Sequence, residues 1–403
     1  MILTVSRPCV TSLLTMCSSP PSMYSVAAYG DMIRDRGRMA AYLTALRHAI
    51  RPGASVADIG TGTGIMACLA CLCGADRVYA IEPSSAIEPA RAIARANGLG
   101  ERIHFIEKMS TSVTLPERVD VIVSDLRGVL PLLQHHVPSI IDARRRFLKP
   151  NGVLVPRRDV VRIAVASAPD LYERHVTPWE RNDYGLDMRA VSRIETNAWR
   201  KCRARADHVL LPPQSLPALD YETVETANLA GELRWEVAAA GEAHGLVGWF
   251  DADLGHDVTF TNAPGAPELI YGQAFFPWSR PVTLLIGDAV SVSLRAILVG
   301  EDYVWTWDTR VVDATTGETR ADFHQSSFFG APLSPATLAR RSADHVPTLN
   351  EDGRLDRLIL ELLDEHAPLG RIADEVFAKF PGRLATREAA LARVADLSTR
   401  YGD

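Results

Sequence analysis

The chain has 403 residues, of which 47% are hydrophobic, and a formal net charge of -6. This length and composition predict a globular protein of two or three domains. The near balance of 43 basic and 49 acidic residues gives no general field for nucleic acid, and no apolar stretch approaches the roughly 20 residues of a membrane span. We therefore expect a cytoplasmic protein with no nucleic-acid partner and no membrane partner.

The chain opens with a polar segment and continues into a helix. Residues 1–28 are rich in Ser, Thr and Pro up to Ser22 and lack a convincing signal peptide, so we expect them to be mobile. From Tyr29, apolar residues recur at three- and four-residue steps until Pro52, which predicts one leading helix. Arg38 on this helix either belongs to a solvated face or neutralises the carboxylate of a cofactor.

A glycine-rich turn is the most informative local feature. The buried strand at 56–59 runs directly into Gly60, Gly62 and Gly64, and an apolar helix follows. Glycines at these positions let the backbone turn tightly and approach a ligand. The next strand ends in Glu82, about twenty residues after the first glycine, where a carboxylate can accept both hydroxyls of a ribose.

The turn has the form Asp-x-Gly-x-Gly-x-Gly, beginning at Asp58. This form resembles the first motif of class I methyltransferases, and the absence of a following Lys-Ser/Thr excludes a P-loop. We therefore predict that the ligand is S-adenosylmethionine. The alternative is a tight structural turn with a coincidental acid.

Strand and helix patterns alternate from Val56 to Val123, as in a parallel, doubly wound sheet. Ligands of such sheets lie outside the carboxyl ends of the strands, which adds the segment Ser124–Gly128 to the predicted site. Within it, Asp125 either caps the next helix or has a catalytic role.

Short strands with alternating polar residues follow Pro156, and they predict a β-barrel or sandwich. Apolar stripes at helical spacing return after residue 345 and predict three helices. These helices could form a helix-turn-helix, a peptide-binding module or a dimer contact, or they could simply pack onto the barrel. The predicted domains are residues 29–156, 157–344 and 345–403. A DNA-binding role for the last of these lacks a basic stripe.

Three cysteines, Cys68, Cys71 and Cys73, lie on the helix after the glycine turn. No second Cys/His pair accompanies them, so a tetrahedral metal site is not supported. We expect reduced thiols in the core and no metal.

Several stretches together resemble the protein arginine methyltransferases, in the same order from about residue 29 to about residue 325. The resemblance implies a methyltransferase domain followed by a β-barrel, a head-to-tail homodimer, and an acceptor groove between the two domains. Beyond the glycine turn and Glu82, the matching stretches are 32–38 with Met32 and Arg38, 97–99, 115–124, 143–152, Trp249-Phe250 and Gly272–Pro277.

The resemblance also implies roles for single residues. Arg38 is expected to bind the methionine carboxylate of the cofactor, with Met32 in the same motif, and Glu82 to bind the ribose. Thr111 or Ser112 stands where the family has an acidic residue near the adenine amine.

The sequence departs from the family in the acceptor region. The two glutamates that grip a guanidinium correspond to Asp125 and Gln134, on the loop that also carries Arg127, and the Thr-His-Trp loop corresponds to Leu269–Tyr271. One carboxylate in place of two weakens the complementarity to a cation. His135 and His136 could then supply a general base, although paired surface histidines are the simpler explanation.

From these departures we predict a methyltransferase that acts on a peptide or natural-product acceptor, at nitrogen or oxygen, in a biosynthetic pathway. One alternative is methylation of the guanidino nitrogen of protein-bound or free arginine. A second alternative, of another class, is a non-catalytic methyltransferase-like protein that binds partners.

Overall fold

The computed structural model describes residues 24–402, which form two compact units that divide between Pro332 and Leu333. No helix in this range is both long and apolar enough to cross a membrane. Most of the segment predicted to be mobile, residues 1–23, lies outside the described range. Its last residues, from Val26, are already helical.

Two helices replace the single predicted leading helix: α1, Val26–Arg34, and α2, Arg36–Ala49. The break is at Asp35, whose Oδ1 accepts a hydrogen bond of 3.0 Å from the backbone N–H of Arg38. Aspartate is a favourable N-cap, so its side chain starts a new helix where the apolar pattern alone continues.

A five-stranded parallel sheet follows. Its elements are β1 (Ser55–Ile59), α3 (Ile65–Leu72), β2 (Arg77–Ile81), α4 (Ile87–Ala96), β3 (Ile103–Ile106), β4 (Val119–Ser124), α5 (His136–Phe147) and β5 (Leu148–Val155). The strands lie in the order β3-β2-β1-β4-β5. The strand order reverses between β1 and β4, and Ile59 pairs with both Ile81 and Ser124, so the carboxyl ends of β1, β2 and β4 lie side by side. This is the edge where the sequence predicts the site.

The next part of the unit is antiparallel. Its elements are β6 (Arg158–Ala166), α6 (Pro169–His175), α7 (Thr177–Glu180), α8 (Arg189–Glu195), β7 (Arg200–Cys202), β8 (Gln214–Ser215), β9 (Leu219–Asp220), β10 (Leu229–Glu236), β11 (Gly241–Asp253), β12 (Thr259–Thr261), β13 (Gln273–Leu284), β14 (Ala289–Val299), β15 (Asp302–Val312) and β16 (Thr319–Ser326). One sheet has four strands, in the order β10-β14-β15-β16. The second sheet has the order β7-β13-β11-β6-β8, with β12 paired to β11 and β9 paired to β6.

The sequence pattern does not identify β11 or the first half of β13 as strands. β11 is buried on both faces over most of its length, and the first half of β13 is buried likewise, so neither alternates as a half-exposed strand does. One hydrophobic cluster continues from the parallel sheet into these strands. The architecture confirms a doubly wound α/β domain followed by a barrel-like antiparallel domain, while the domain limits drawn from sequence stay predictions.

The second unit is helical, and its core comes from its own helices. α9 (Pro335–Ala339) precedes α10 (Glu351–Asp364), α11 (Leu369–Lys379) and α12 (Arg387–Tyr401). Ile359, Ile372 and Val394 are fully buried in this core, as the apolar stripes predict. Asn350 and Thr386 cap α10 and α12 with their side-chain oxygens.

Candidate active site

The turn after β1 is shaped to admit a ligand against its backbone. Gly60, Gly62 and Gly64 have φ of 73°, 53° and 82°, in the left-handed region that favours glycine. A Cβ added at Gly62 would lie 2.5 Å from the ring of Tyr29, and one at Gly60 would overlap the side chain of Leu126. The turn therefore requires glycine for both its conformation and its close neighbours.

Glu82, directly after β2, is fixed against this turn. Its Oε2 accepts from the backbone N–H of Gly62 at 3.0 Å, and its Oε1 accepts from that of Ser84 at 3.1 Å, with the residue 8% exposed. Each carboxylate oxygen offers a second lone pair. Glu82 is thus held with acceptors for two more donors, as a ribose would supply.

Asp58, the acidic residue of β1, is buried beneath the turn. Its Oδ2 accepts from the hydroxyl of Thr61, but burial is the larger effect and raises the pKa of Asp58 to about 7. A carboxyl with this pKa keeps its proton in the folded protein under conditions where the unfolded chain has lost it.

This proton has a predictable effect on stability. Because the pKa of Asp58 is raised from 3.8 to about 7, the folded state binds more protons between those values, and stability falls as the pH rises through them. We expect the fall to be absent in Asp58→Asn, so that the two profiles diverge by on the order of 3 kcal/mol between pH 4 and pH 8. Urea midpoints across this range test it, and parallel profiles would contradict the assignment.

Asp125, the first residue after β4, contacts three side chains. Its Oδ2 lies 2.5 Å from Nε of Arg38 and 2.6 Å from the hydroxyl of Tyr271, and its Oδ1 lies 3.1 Å from Nε of Arg127. Although burial alone would raise the pKa of Asp125, the charges of the two arginines hold it well below its usual range. Asp125 is therefore an anion at any working pH.

Arg127 is enclosed completely, with a side chain that is 0% exposed. Its Nη1 donates to Oδ1 of Asp159 at 2.9 Å, and its Nη2 donates to the hydroxyl of Tyr42. Four aromatic rings surround the guanidinium carbon with centroids 5.1 to 5.8 Å away, within cation–π range. They belong to Tyr42, Phe250, Phe260 and Tyr271.

Asp159 connects this arginine to a buried histidine. Tyr221 donates its hydroxyl proton to Oδ2 of Asp159 at 2.7 Å, and Nε2 of His136 lies 2.9 Å from the same hydroxyl oxygen. His136 is therefore joined to Asp159 through the hydroxyl of Tyr221. Burial, with a smaller effect from Arg127, lowers the pKa of His136 to about 3, so the imidazole is neutral.

Comparison with known proteins identifies this architecture. Residues 160–298 match the family described as "Arginine methyltransferase oligomerization subdomain", and residues 39–172 match "Ribosomal protein L11 methyltransferase (PrmA)". By these two matches the chain is similar to protein arginine methyltransferases and to other class I methyltransferases. Its fold also resembles the structure named "Trypanosoma brucei PRMT1 enzyme-prozyme heterotetrameric complex with AdoHcy", with a TM-score of 0.67, 21% identity, and coverage of 74% of this chain and 96% of that chain.

Two curated relatives have similar sequences. "Probable protein arginine N-methyltransferase 6" of Arabidopsis thaliana is 30% identical over 60% of this chain, and the match spans only 60% of that relative's length. "Arginine N(omega)-methyltransferase" of Streptomyces achromogenes subsp. streptozoticus is 28% identical over 65% of this chain and 74% of the relative.

Three further residues predicted to bind the cofactor are Met32, Arg38 and Thr111. Arg38 is 5% exposed, and its Nη1 donates to the carbonyl of Met32 at 3.3 Å, whereas Arg34 and Arg36 are exposed. The solvated-face explanation is therefore wrong for Arg38. Thr111 lies exposed in a single helical turn.

The acceptor-loop residues separate into two groups. Arg127 and Tyr271 contact Asp125 directly, whereas none of the hydrogen bonds that Asp125 makes to described residues comes from Gln134 or the histidines. Gln134 is exposed with φ 42°, and His135 lies 2.8 Å from the surface residue Glu301.

Two alternatives from the sequence are wrong. Helix α5 begins at His136, beyond the reach of a cap at Asp125, whose oxygens contact side chains instead. The surface explanation holds for His135 but not for His136, which is 2% exposed. The second histidine is turned inward because it opens α5 on the face that packs against Tyr221.

Sequence reasoning misses Asp159, Tyr221 and Tyr42. Asp159 carries a usable signal, because it is an acid at the start of a strongly apolar strand, where a carboxylate needs a buried partner. That partner, Arg127, is 32 residues away in sequence. Tyr42 and Tyr221 carry no comparable signal, since buried tyrosines are common in cores.

Proposed function

We propose that this chain transfers a methyl group from S-adenosylmethionine to a guanidino nitrogen of arginine, either free or in a protein. The observation that carries the proposal is Asp125, a buried carboxylate paired with Arg38 and Arg127 at the carboxyl end of β4 beside the glycine turn. Relatives named for arginine methylation support it over a natural-product acceptor. We therefore propose arginine methylation, the first alternative in the sequence analysis, in place of the biosynthetic natural-product role.

The residues of the site fit the cofactor. The glycine turn leaves no room for side chains, and Glu82 offers two hydrogen-bond acceptors. None of the contacts described for Arg38 uses its Nη2, so this nitrogen can donate to the carboxylate of the cofactor. When bound, S-adenosylmethionine supplies an electrophilic methyl group. Gly60 to Gly64 would hold it along the backbone, Glu82 at the ribose and Arg38 at the carboxylate.

Asp125 would bind and orient the acceptor N–H. Because its pKa lies far below neutrality, it does not retain a proton at working pH, and its contribution is electrostatic: it stabilises positive charge that develops on the attacking nitrogen. Holding the nitrogen in line with the methyl group supplies much of the rate of such a displacement. The general-base roles inferred for His135 and His136 stay predictions, and the lowered pKa of His136 makes it a weak base.

A second candidate acceptor is an uncharged N–H or O–H group. It is favoured by one observation, that Arg38 and Arg127 already balance the charge of Asp125. A neutral acceptor would not add charge to a buried site.

The function is tested by incubating the purified full chain with labelled S-adenosylmethionine. Three acceptor pools are compared by mass spectrometry: free L-arginine, an arginine-rich peptide set, and a cell extract of small molecules and peptides. We expect label on the guanidino nitrogen in one of the first two pools. Label confined to another group in the extract would overturn the acceptor assignment, and tight S-adenosylhomocysteine binding without any transfer would favour the non-catalytic alternative.

Assembly and location complete the proposal. The match of residues 160–298 to an oligomerization subdomain supports a homodimer, which light scattering of the purified chain would test. A cytoplasmic location stays a prediction from composition.

A further inference from the structure

The charged groups at Asp125 form a closed set. Two carboxylates, Asp125 and Asp159, face two guanidinium groups, Arg38 and Arg127, and the side chains of all four are at most 7% exposed. Their formal charges cancel. Any cation that enters the site therefore adds an uncompensated charge in surroundings of low dielectric.

The two oxygens of Asp125 differ in how much room they leave. Oδ2 has two short contacts, from Arg38 at 2.5 Å and from Tyr271 at 2.6 Å, which use its two lone pairs. Oδ1 has one contact, from Nε of Arg127 at 3.1 Å. A bidentate guanidinium needs both oxygens of a carboxylate, so a bound arginine finds a single free lone pair here.

Arg127 is not free to leave. Its Nη1 is fixed by Asp159, which in turn accepts from Tyr221, and four aromatic rings enclose its guanidinium. Tyr221 donates to Asp159, and His136 contacts the same tyrosine hydroxyl. Burial raises the pKa of Asp159, whereas the charge of Arg127 and the hydrogen bond from Tyr221 oppose that shift and favour the anion. The network holds Arg127 beside Asp125 as a resident guanidinium.

We propose that Arg127 is a specificity-determining residue that occupies part of the guanidinium-binding capacity of Asp125 and disfavours positively charged acceptors relative to uncharged ones of the same shape. The inference rests on the proposed function only in taking Asp125 as the acceptor-binding carboxylate. Asp159 acts through Arg127 and is a positioning residue.

A matched pair of ligands isolates charge from shape. Arginine and citrulline have nearly the same size, but the ureido group of citrulline is neutral. Dissociation constants are measured by calorimetry with S-adenosylhomocysteine present, for the free amino acids and for one peptide synthesised with either residue. The quantity that tests Arg127 is the ratio of the citrulline constant to the arginine constant.

Four variants are compared with wild type. We expect the ratio to rise at least about tenfold in Arg127→Met and to rise less in Arg127→Met/Asp159→Asn. In Asp159→Asn, where Arg127 loses its other partner, we expect the ratio to fall below that of wild type. The double variant removes a buried pair together, so it stays informative if Arg127→Met alone leaves Asp159 uncompensated and fails to fold. Arg310→Met, an exposed arginine on β15, is the control and is expected to keep the wild-type ratio.

The outcomes separate the two proposals. A wild-type ratio in the double variant with S-adenosylhomocysteine binding intact overturns the role of Arg127, as does failure of every folded variant to bind either ligand. If wild type methylates no arginine but the variants gain arginine binding, the specificity role stands and the proposed function fails. If wild type methylates arginine and the ratio does not move, the function stands and the specificity role fails.

Discussion

Asp125→Asn is expected to lower kcat/KM for methyl transfer at least about 100-fold while S-adenosylhomocysteine still binds. The amide keeps the shape of the side chain but removes the negative charge that would face the acceptor nitrogen. It also leaves Arg38 and Arg127 without their shared carboxylate, at a cost of about 3–5 kcal/mol in stability. Turnover, cofactor affinity and the unfolding midpoint are therefore measured on the same preparation.

Two further variants make this result interpretable. Asp251→Asn removes a carboxylate that pairs with Arg162 on the neighbouring strand and is expected to leave turnover close to wild type. Asp125→Glu keeps the charge and is expected to recover part of the activity. Full turnover by a folded Asp125→Asn protein would rule out the acceptor role of this residue.

Gly62→Arg is expected to abolish cofactor binding, with the dissociation constant of S-adenosylhomocysteine raised at least about 100-fold. Position 62 combines a φ of 53° with a Cβ position 2.5 Å from the Tyr29 ring, so any side chain there strains the turn and displaces the ring of Tyr29. The backbone N–H of Gly62 donates to Glu82, so a shifted turn also releases the carboxylate that we propose binds the ribose.

Gly185→Arg provides the matched control for this change. Gly185 has a φ of 70°, and a Cβ there meets no atom within 4 Å, so the substitution brings similar backbone strain without a clash. We expect its cofactor affinity to equal that of wild type. An unchanged dissociation constant in folded Gly62→Arg would contradict the assignment of the glycine turn.

The parallel half of the fold is predictable because its signals are local. Apolar runs predict the strands, and their order along the chain predicts the doubly wound sheet. The sequence alone therefore places Gly60, Glu82 and Asp125 at the same edge of the sheet. The antiparallel half is harder, since β11 and much of β13 are buried on both faces and lose the alternation that identifies a strand. The break at Asp35 is likewise hidden by an apolar pattern that continues across it.

The sequence by itself determines the sheet, the glycine turn and the placement of Glu82 and Asp125 at the carboxyl edge of the sheet, because these depend on short-range spacing. Only the tertiary structure decides what surrounds Asp125. Arg38 and Tyr271 reach Asp125 from 87 and 146 residues away in the chain. Asp159 contacts Arg127 across 32 residues, and Tyr221 contacts Asp159 across 62 residues. Burial fixes such charges in place, since a charge removed from water needs a partner, and no sequence pattern states which partner the folded chain will supply.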